Sequence, residues 1–386
     1  MKRLTLAICL ALLAAPAARP EVLAITGARA VTMTADAPLE AATIVIREGR
    51  IAAIGQDVEP PRGAIGIDAR GRFVTPGLMN SATQLGLVEV SSAADTVDDE
   101  IGAGTLGAAF DVQYGLNPNS TLVPIARADG LTRAVVFPGA SADPPFLGRG
   151  ALLHLRPGPG ILQQPHAALF VAVGGATSGE SGKSRSAQWQ LIRTVFDEAL
   201  HFQEHEKAYR TAPLREQRLD RRDFAAIEPV LEGDIPLAVF AARESDLREA
   251  VALAEDYDLR LVLCGAAEAW RVADLLASRN IPVVLDPFAN LPASFDEIGA
   301  RGDSAAILQR AGVLVGFFVS GIHASHNAGL ALREGAGLAV AQGLPWNEAL
   351  AAITVNPARI WGIARRYGTL EVGRDADVVI WDGDPL

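Results

Sequence analysis

Groups able to hold a metal or move a proton are few in this chain: six histidines stand among 386 residues. His201 and His205 lie one helical turn apart within Ala187 to Tyr209, a stretch that reads as a helix. Two imidazoles at that spacing can share one zinc ion. The glutamate that follows the first histidine in a metalloprotease helix is absent, since Phe202 occupies that place. With Glu198 and Glu204 beside the pair, a solvated charged face is the simpler reading. His323 and His326 follow the apolar run 312–320, and read either as a metal or substrate pair or as loop histidines bonded to backbone. Gly182-Lys183-Ser184 has the end of a phosphate-binding loop, but the glycine required five positions before Gly182 is Thr177. No nucleophile elbow is present, and a Ser–His–Asp triad cannot be argued from spacing.

The formal charge of -11 argues against a nucleic-acid partner, which would want a basic face. A 49% hydrophobic, 20% charged composition is that of a folded globular chain. At the N-terminus, Lys2-Arg3, the apolar run Leu4 to Ala15 and Ala15-Pro16-Ala17 have the pattern of a cleaved secretory signal, placed at 1–18. The apolar run is too short for a bilayer span, so no stable membrane anchor is expected. Removal of the signal takes Cys9 with it and leaves Cys264, so no internal disulfide is available. The expected location is the periplasm.

Two kinds of chain pattern position these groups. Residues 22 to 72 read as short strands, with Thr43–Ile46 and Arg50–Gly55 flanking a turn at Glu48-Gly49. Gly368 to Trp381 is β-like again, and both ends together are enough for one small β-domain. Between them, apolar runs at 73–84, 131–138, 151–155, 167–174, 236–242, 259–265, 281–286 and 312–320 alternate with helical patterns. Helices are clearest late in the chain: Ser245 is placed to cap Asp246 to Tyr257, whose Leu247, Val251 and Ala254 share a face. The fold class is α/β: a (β/α)8 TIM barrel with a small composite β-domain from both chain ends. A doubly wound sheet is the alternative. The division runs 19–72 plus 364–386 for a small β-sandwich, and 73–363 for the barrel, with loops inserted at 87–130 and 175–235.

Phe73-Val74-Thr75-Pro76-Gly77-Leu78-Met79-Asn80-Ser81-Ala82-Thr83-Gln84-Leu85-Gly86 resembles the first barrel strand of the amidohydrolase superfamily, imidazolonepropionase-like branch. Asn356-Pro357-Ala358 and the run from Gly368 to Val379 resemble that family's C-terminal ending. The chain stops at Leu386, where relatives usually add a strand or two. The resemblance implies hydrolysis of non-peptide C–N bonds by a metal-activated water. It also implies where the ligands should stand, and there this sequence departs from the pattern. The first-strand histidine places hold Ala82 and Gln84, strand five holds Phe240 and Ala242, strand six Gly265, and strand eight Ser320 in place of aspartate. Strand four, Phe170 to Val173, offers no bridging lysine. Ala, Phe and Gly side chains cannot bind zinc, and Gln or Ser binds it poorly.

The expectation is therefore an exported amidohydrolase-like protein with no metal at the family site, acting as a binding or assembly partner, as a homo- or hetero-oligomer with a related amidohydrolase. Two alternatives stand beside it. One is an active hydrolase of C–N bonds or dipeptides, with zinc held through His323 and His326. The other is a periplasmic small-molecule-binding protein. The residues placed at the barrel mouth or its loops are Gln84, Asp111, Asn117, Arg243, His323, His326 and Asn327, with Glu89, Arg133 and Arg149 near them. They either line a pocket or make structural hydrogen bonds.

Overall fold

The structure, a computed structural model, describes residues 22–101, 106–139, 145–175, 184–209 and 221–386. The signal segment and most of the Gly-Lys-Ser loop lie outside them. The small sheet begins with β1 (Val22–Ala30), β2 (Leu39–Arg47), β3 (Arg50–Gly55), β4 (Ile65–Asp68) and β5 (Phe73–Pro76). The barrel strands are β6 (Leu78–Thr83), β7 (Leu131–Val136), β8 (Phe146–His154), β9 (Leu162–Ala172), β10 (Leu237–Ala241), β11 (Leu261–Gly265), β12 (Val283–Leu285) and β13 (Val315–Phe317). The last strand, β14 (Val378–Trp381), returns to the small sheet.

β2 and β3 pair through the turn at Glu48 and Gly49, whose φ angles of 52° and 73° are both positive. That is the two-residue turn whose twist matches the strands it joins. β1 is the spine of the small sheet: it pairs with β2 on one edge and with β4 and then β5 on the other, and β14 adds to β5. The two chain ends thus complete one six-stranded sheet, where the sequence suggested a sandwich. Its core is Ile25, Ile44, Ile46, Ile51, Val74 and Leu370.

The opening stretch 73–84 is split at Gly77 into β5 of the small sheet and β6 of the barrel. A Cβ at Gly77 would come within 2.2 Å of Thr132 Oγ1, so the chain passes from one sheet to the other where only glycine fits. Asp377 joins the two bodies from the other side. Its carbonyl accepts from Gly77 N–H at 2.9 Å, and its carboxylate sits 2.6 Å from Arg133 Nε. Arg133 is only 2% exposed, lies over the Tyr367 ring and also donates to Gln163.

All eight expected barrel strands are present, in the order β13-β12-β11-β10-β9-β8-β7-β6. The end strands meet at Gly316 and Ser81. One strand departs from the (β/α)8 pattern: β8 runs antiparallel to both β7 and β9. The links on either side of it, 137–145 and 155–161, are shorter than the dozen or more residues that a parallel crossover needs, so they turn the chain back on itself. Elsewhere helices return the chain: α1 (Leu122–Ala128) before β7, α2 (Arg185–Tyr209) and α3 (Arg221–Leu231) before β10, and α4 (Glu244–Asp256) before β11. The later strands are followed by α5 (Ala273–Ser278), α6 (Ser304–Arg310), α7 (Leu330–Ala341), α8 (Trp346–Ala351) and α9 (Val355–Ile360). Leu247, Val251 and Ala254 of α4 are buried as expected, but the N-cap is Arg243 and Ser245 lies two residues further in; the Glu244 N–H is accepted by Glu268 Oε2 at 2.8 Å.

Asp377→Ala would strand the Arg133 guanidinium without its carboxylate. The expected loss is about 3–5 kcal/mol of unfolding free energy by denaturant titration, as for other broken buried pairs. A double replacement, Arg133→Met with Asp377→Leu, is expected to lose much less.

Candidate functional site

The carboxyl ends of the parallel strands form the barrel mouth, where an α/β barrel carries its chemistry. The side chains pointing inward there are apolar. Phe240 of β10 has its ring centroid 5.0 Å from Phe137, 6.2 Å from Phe170 and 6.0 Å from Phe318. Phe170 continues the contact to Trp361, with centroids 6.1 Å apart. Ala82 and Cys264 are fully buried in the same cluster, and burial pushes the Cys264 thiol up, which leaves it an inert neutral group. Four phenylalanine rings from four different segments cluster at the centre of the mouth.

Polar groups stand around this plug and are bonded to one another. Gln84 donates its backbone N–H to the Ala324 carbonyl at 2.7 Å and its side-chain amide to Asp99 Oδ2. Asp99 belongs to the insertion after β6, and its backbone carbonyl accepts from Gly139 N–H at 2.8 Å, so carboxyl and carbonyl together pin the inserted loop beside the ends of the first two barrel strands. It is 3% exposed; burial, reinforced by the neighbouring Glu100 charge, pushes its pKa up to about 6. On the opposite side, Asp286 at the end of β12 accepts the Ser320 hydroxyl and, at 2.9 Å, the Ser320 N–H. Its other oxygen accepts the Phe288 N–H at 2.9 Å.

Arg243 lies on the third side, 3.1 Å from Asp296, which also accepts from Gly175 N–H at 2.6 Å and from Arg185. Burial works against the Asp296 carboxylate, but the Gly175 N–H, Arg185 and Arg243 outweigh it and hold its pKa below the usual carboxylate range. Between this network and Phe240 opens a cavity of about 490 Å³, lined by Ala172, Val173, Cys264, Gly265 and Phe295 among others.

The expected site residues divide three ways. Gln84, His323, His326 and Asn327 share one side of the mouth, joined because Thr83 and Gln84 both donate to Ala324. His323 keeps a buried Nδ1 with no hydrogen-bond partner, 6.2 Å ring to ring from Phe288. His326 Nδ1 lies 3.1 Å from Ser325 Oγ, and Asn327 starts α7 by accepting Ala331 N–H at 2.8 Å. Arg243 is on the far rim.

Asp111 is not at the mouth, whereas Asn117 donates its N–H to the Gly86 carbonyl at 2.8 Å, just beyond Gln84. Asp111 is buried against Arg149 at 3.0 Å, His166 at 2.8 Å and Gln113 at 2.7 Å. Arg149 stands opposite Leu169, whose side chain packs in the outer core, so this knot lies outside the barrel wall. It fixes the inserted loop over the hairpin β8–β9. Asn117 closes a turn by accepting Asn119 N–H at 3.0 Å. Sequence reasoning missed Asp99, Asp286 and Asp296. Asp286 had a visible signal, an acidic residue ending an apolar run. The others are recognisable only through partners far away in the chain.

The residues at the family ligand places do not fit a divalent ion. Among the described residues, the one set of three converging His, Cys, Asp or Glu donors is elsewhere, at His201, Glu204 and His205.

Residues 241–386 match the family model described as "Amidohydrolase family". This chain therefore carries an amidohydrolase-family segment at 241–386. It is imidazolonepropionase-like: it is 26% identical to an imidazolonepropionase of Sphingopyxis alaskensis over 93% of this chain and 92% of that protein. A 44-residue stretch is 50% identical to amidohydrolase tasK of Hapsidospora irregularis, 11% of this chain and 4% of that much longer protein. Among solved structures, an amidohydrolase from Thermotoga maritima superposes with a TM-score of 0.84 at 24% identity, over 94% of each chain.

The raised Asp99 pKa gives a pH signature. Below the ordinary carboxylate pKa of 3.8 the group is neutral folded or unfolded and costs nothing. Between 3.8 and about 6 the unfolded chain gives up this proton first, so its contribution to stability falls as pH rises through that window. Asp99→Asn is expected to be more stable than wild type at pH 7.5, by on the order of 1–3 kcal/mol. The gain should vanish near pH 3.5, as read by denaturant titration across pH.

Proposed function

We propose that this amidohydrolase-superfamily protein is an exported, non-catalytic member that acts as a binding or assembly partner. The observation that carries this reading is the aromatic plug. Phe240 stands where a strand-five histidine would, in contact with three further phenylalanines. A hydrolase of this family needs a metal-bound water aimed at the scissile carbon, and a phenylalanine at this place has no lone pair with which to hold the metal. Three acids at the mouth, Asp99, Asp286 and Asp296, are engaged by Gln84, Ser320 and Arg243.

A second reading, a small-molecule-binding protein, is supported by the cavity beside Phe240. Its size falls within the ordinary range for a ligand site of about 300–1,000 Å³. Its mostly apolar floor and the Arg243–Asp296 rim suit a ligand with an apolar body and a polar end. Two further groups at the mouth, His323 and His326, carry the hydrolytic alternative, which would need zinc.

The test is turnover. The purified chain, assayed with and without added zinc against a panel of amides, cyclic amides and dipeptides, is expected to show no hydrolysis above the buffer rate. Zinc-dependent turnover that collapses in His323→Ala or His326→Ala would overturn the proposal. A ligand-induced rise in Tm that Arg243→Ala abolishes would favour the small-molecule reading, and co-purification of an active amidohydrolase would favour assembly.

A further inference from the structure

We propose that His201, Glu204 and His205 on α2 form a surface binding site for a divalent ion of the zinc class, separate from the barrel mouth. The ligating atoms of the three side chains all lie within 4.8 Å of one another, and all three residues are exposed. The two imidazole rings face each other with centroids 4.2 Å apart. An i, i+4 spacing alone does not bring rings so close to a third donor.

The cause is a break in the helix. His205 leaves helical geometry at φ -121° and ψ 19°. Its Nδ1 lies 3.0 Å from the His201 carbonyl oxygen. A carbonyl can only accept, so Nδ1 carries the proton and Nε2 is the nitrogen with a lone pair to give. Metal-binding imidazoles have this arrangement: one N–H held by a backbone carbonyl fixes the tautomer and turns the other nitrogen toward the ion.

Two imidazoles and one carboxylate select the cation by chemistry. Nitrogen donors suit zinc, copper or nickel, whereas calcium and magnesium take oxygen cages. Tetrahedral zinc, with bonds near 2.0–2.1 Å, sets its donors about 3.3 Å apart. Closing the present spread to that value needs rotation of three exposed side chains and no repacking of the core. Three protein donors leave the fourth position to water or to a donor from another molecule. The acidic balance of the chain, -11, also favours a cation at its surface.

The experiment uses the full chain purified without a polyhistidine tag and titrated with Co²⁺, then with Zn²⁺ as competitor. A single saturable Co²⁺ site with ligand-field absorption, displaced by Zn²⁺, is expected. His201→Ala and His205→Ala should each weaken it by more than the roughly 10–100-fold that losing an outer-shell partner costs. Glu204→Gln should weaken it less, and His323→Ala and His326→Ala should leave it unchanged. Those controls separate this site from any ion held at the mouth, so it stands or falls independently of the proposed function. The proposal is overturned if the His201→Ala/His205→Ala double variant binds Co²⁺ as wild type does, or if wild type shows no saturation up to about 1 mM, the limit of weak specific binding.

Discussion

Carbon does not coordinate a divalent cation, and four phenylalanine rings cluster at the centre of this barrel's mouth. The contacts of Phe240 with Phe137, Phe170 and Phe318 set what every neighbouring group can do. Such ring pairs add roughly 0.5–1.5 kcal/mol each beyond the area they bury. Opening the centre would therefore forfeit packing at several places at once. The polar groups pushed to the rim have become structural: Gln84 holds an inserted loop through Asp99, Ser320 is held by Asp286, and Arg243 is held by Asp296.

The frame can stay intact while the mouth changes because a strand presents alternate residues to opposite faces. On β10, Leu237, Val239 and Ala241 pack in the outer core against the helices, while Ala238 belongs to the inner cluster that Phe240 packs against. Replacing an inward ligand by phenylalanine leaves the outward set untouched. The joint between the two bodies is equally remote from the mouth. Gly77, Thr132, Arg133 and Asp377 meet at the amino ends of the first two barrel strands, and Trp381 donates its indole N–H to Thr75 at 2.9 Å beside them. Thr75, Gly77 and Asp377 belong to the runs that carry the family resemblance, so the resemblance reports on the frame and says nothing of turnover.

That separation also explains what could be read from the sequence. Apolar runs located all eight barrel strands, because burial on both faces leaves a compositional mark. The mark has no direction, so the reversal of β8 was invisible; the only clue was the lack of a helical pattern between 131 and 174. The site residues divided by the range of their partners. Gln84, Arg243 and Ser320 end apolar runs and fell at the mouth as expected. Asp111 looked like one of them, yet Arg149 and His166, distant in sequence, draw it to the outer wall. Asp99 carries no local signal, since its partners Gln84 and Gly139 lie on two separate strand ends. The His201–His205 spacing was visible, but the break at His205 that brings the rings together was not.

One feature of the mouth does not follow from packing. Asp99 is nearly enclosed beside Glu100, and its burial makes the ionised form costly enough to raise its pKa to about 6. Gln84 is a neutral donor and recovers only part of that cost, where an arginine would have recovered more. Asparagine at the same position could accept the same hydrogen bond with no charge to bury. A loop selected for closure alone would therefore not need a carboxyl here. Positions that give up stability without a structural return are where function is to be sought. By that argument the contact between Gln84 and Asp99 is the part of the mouth that closure of the loop alone does not explain.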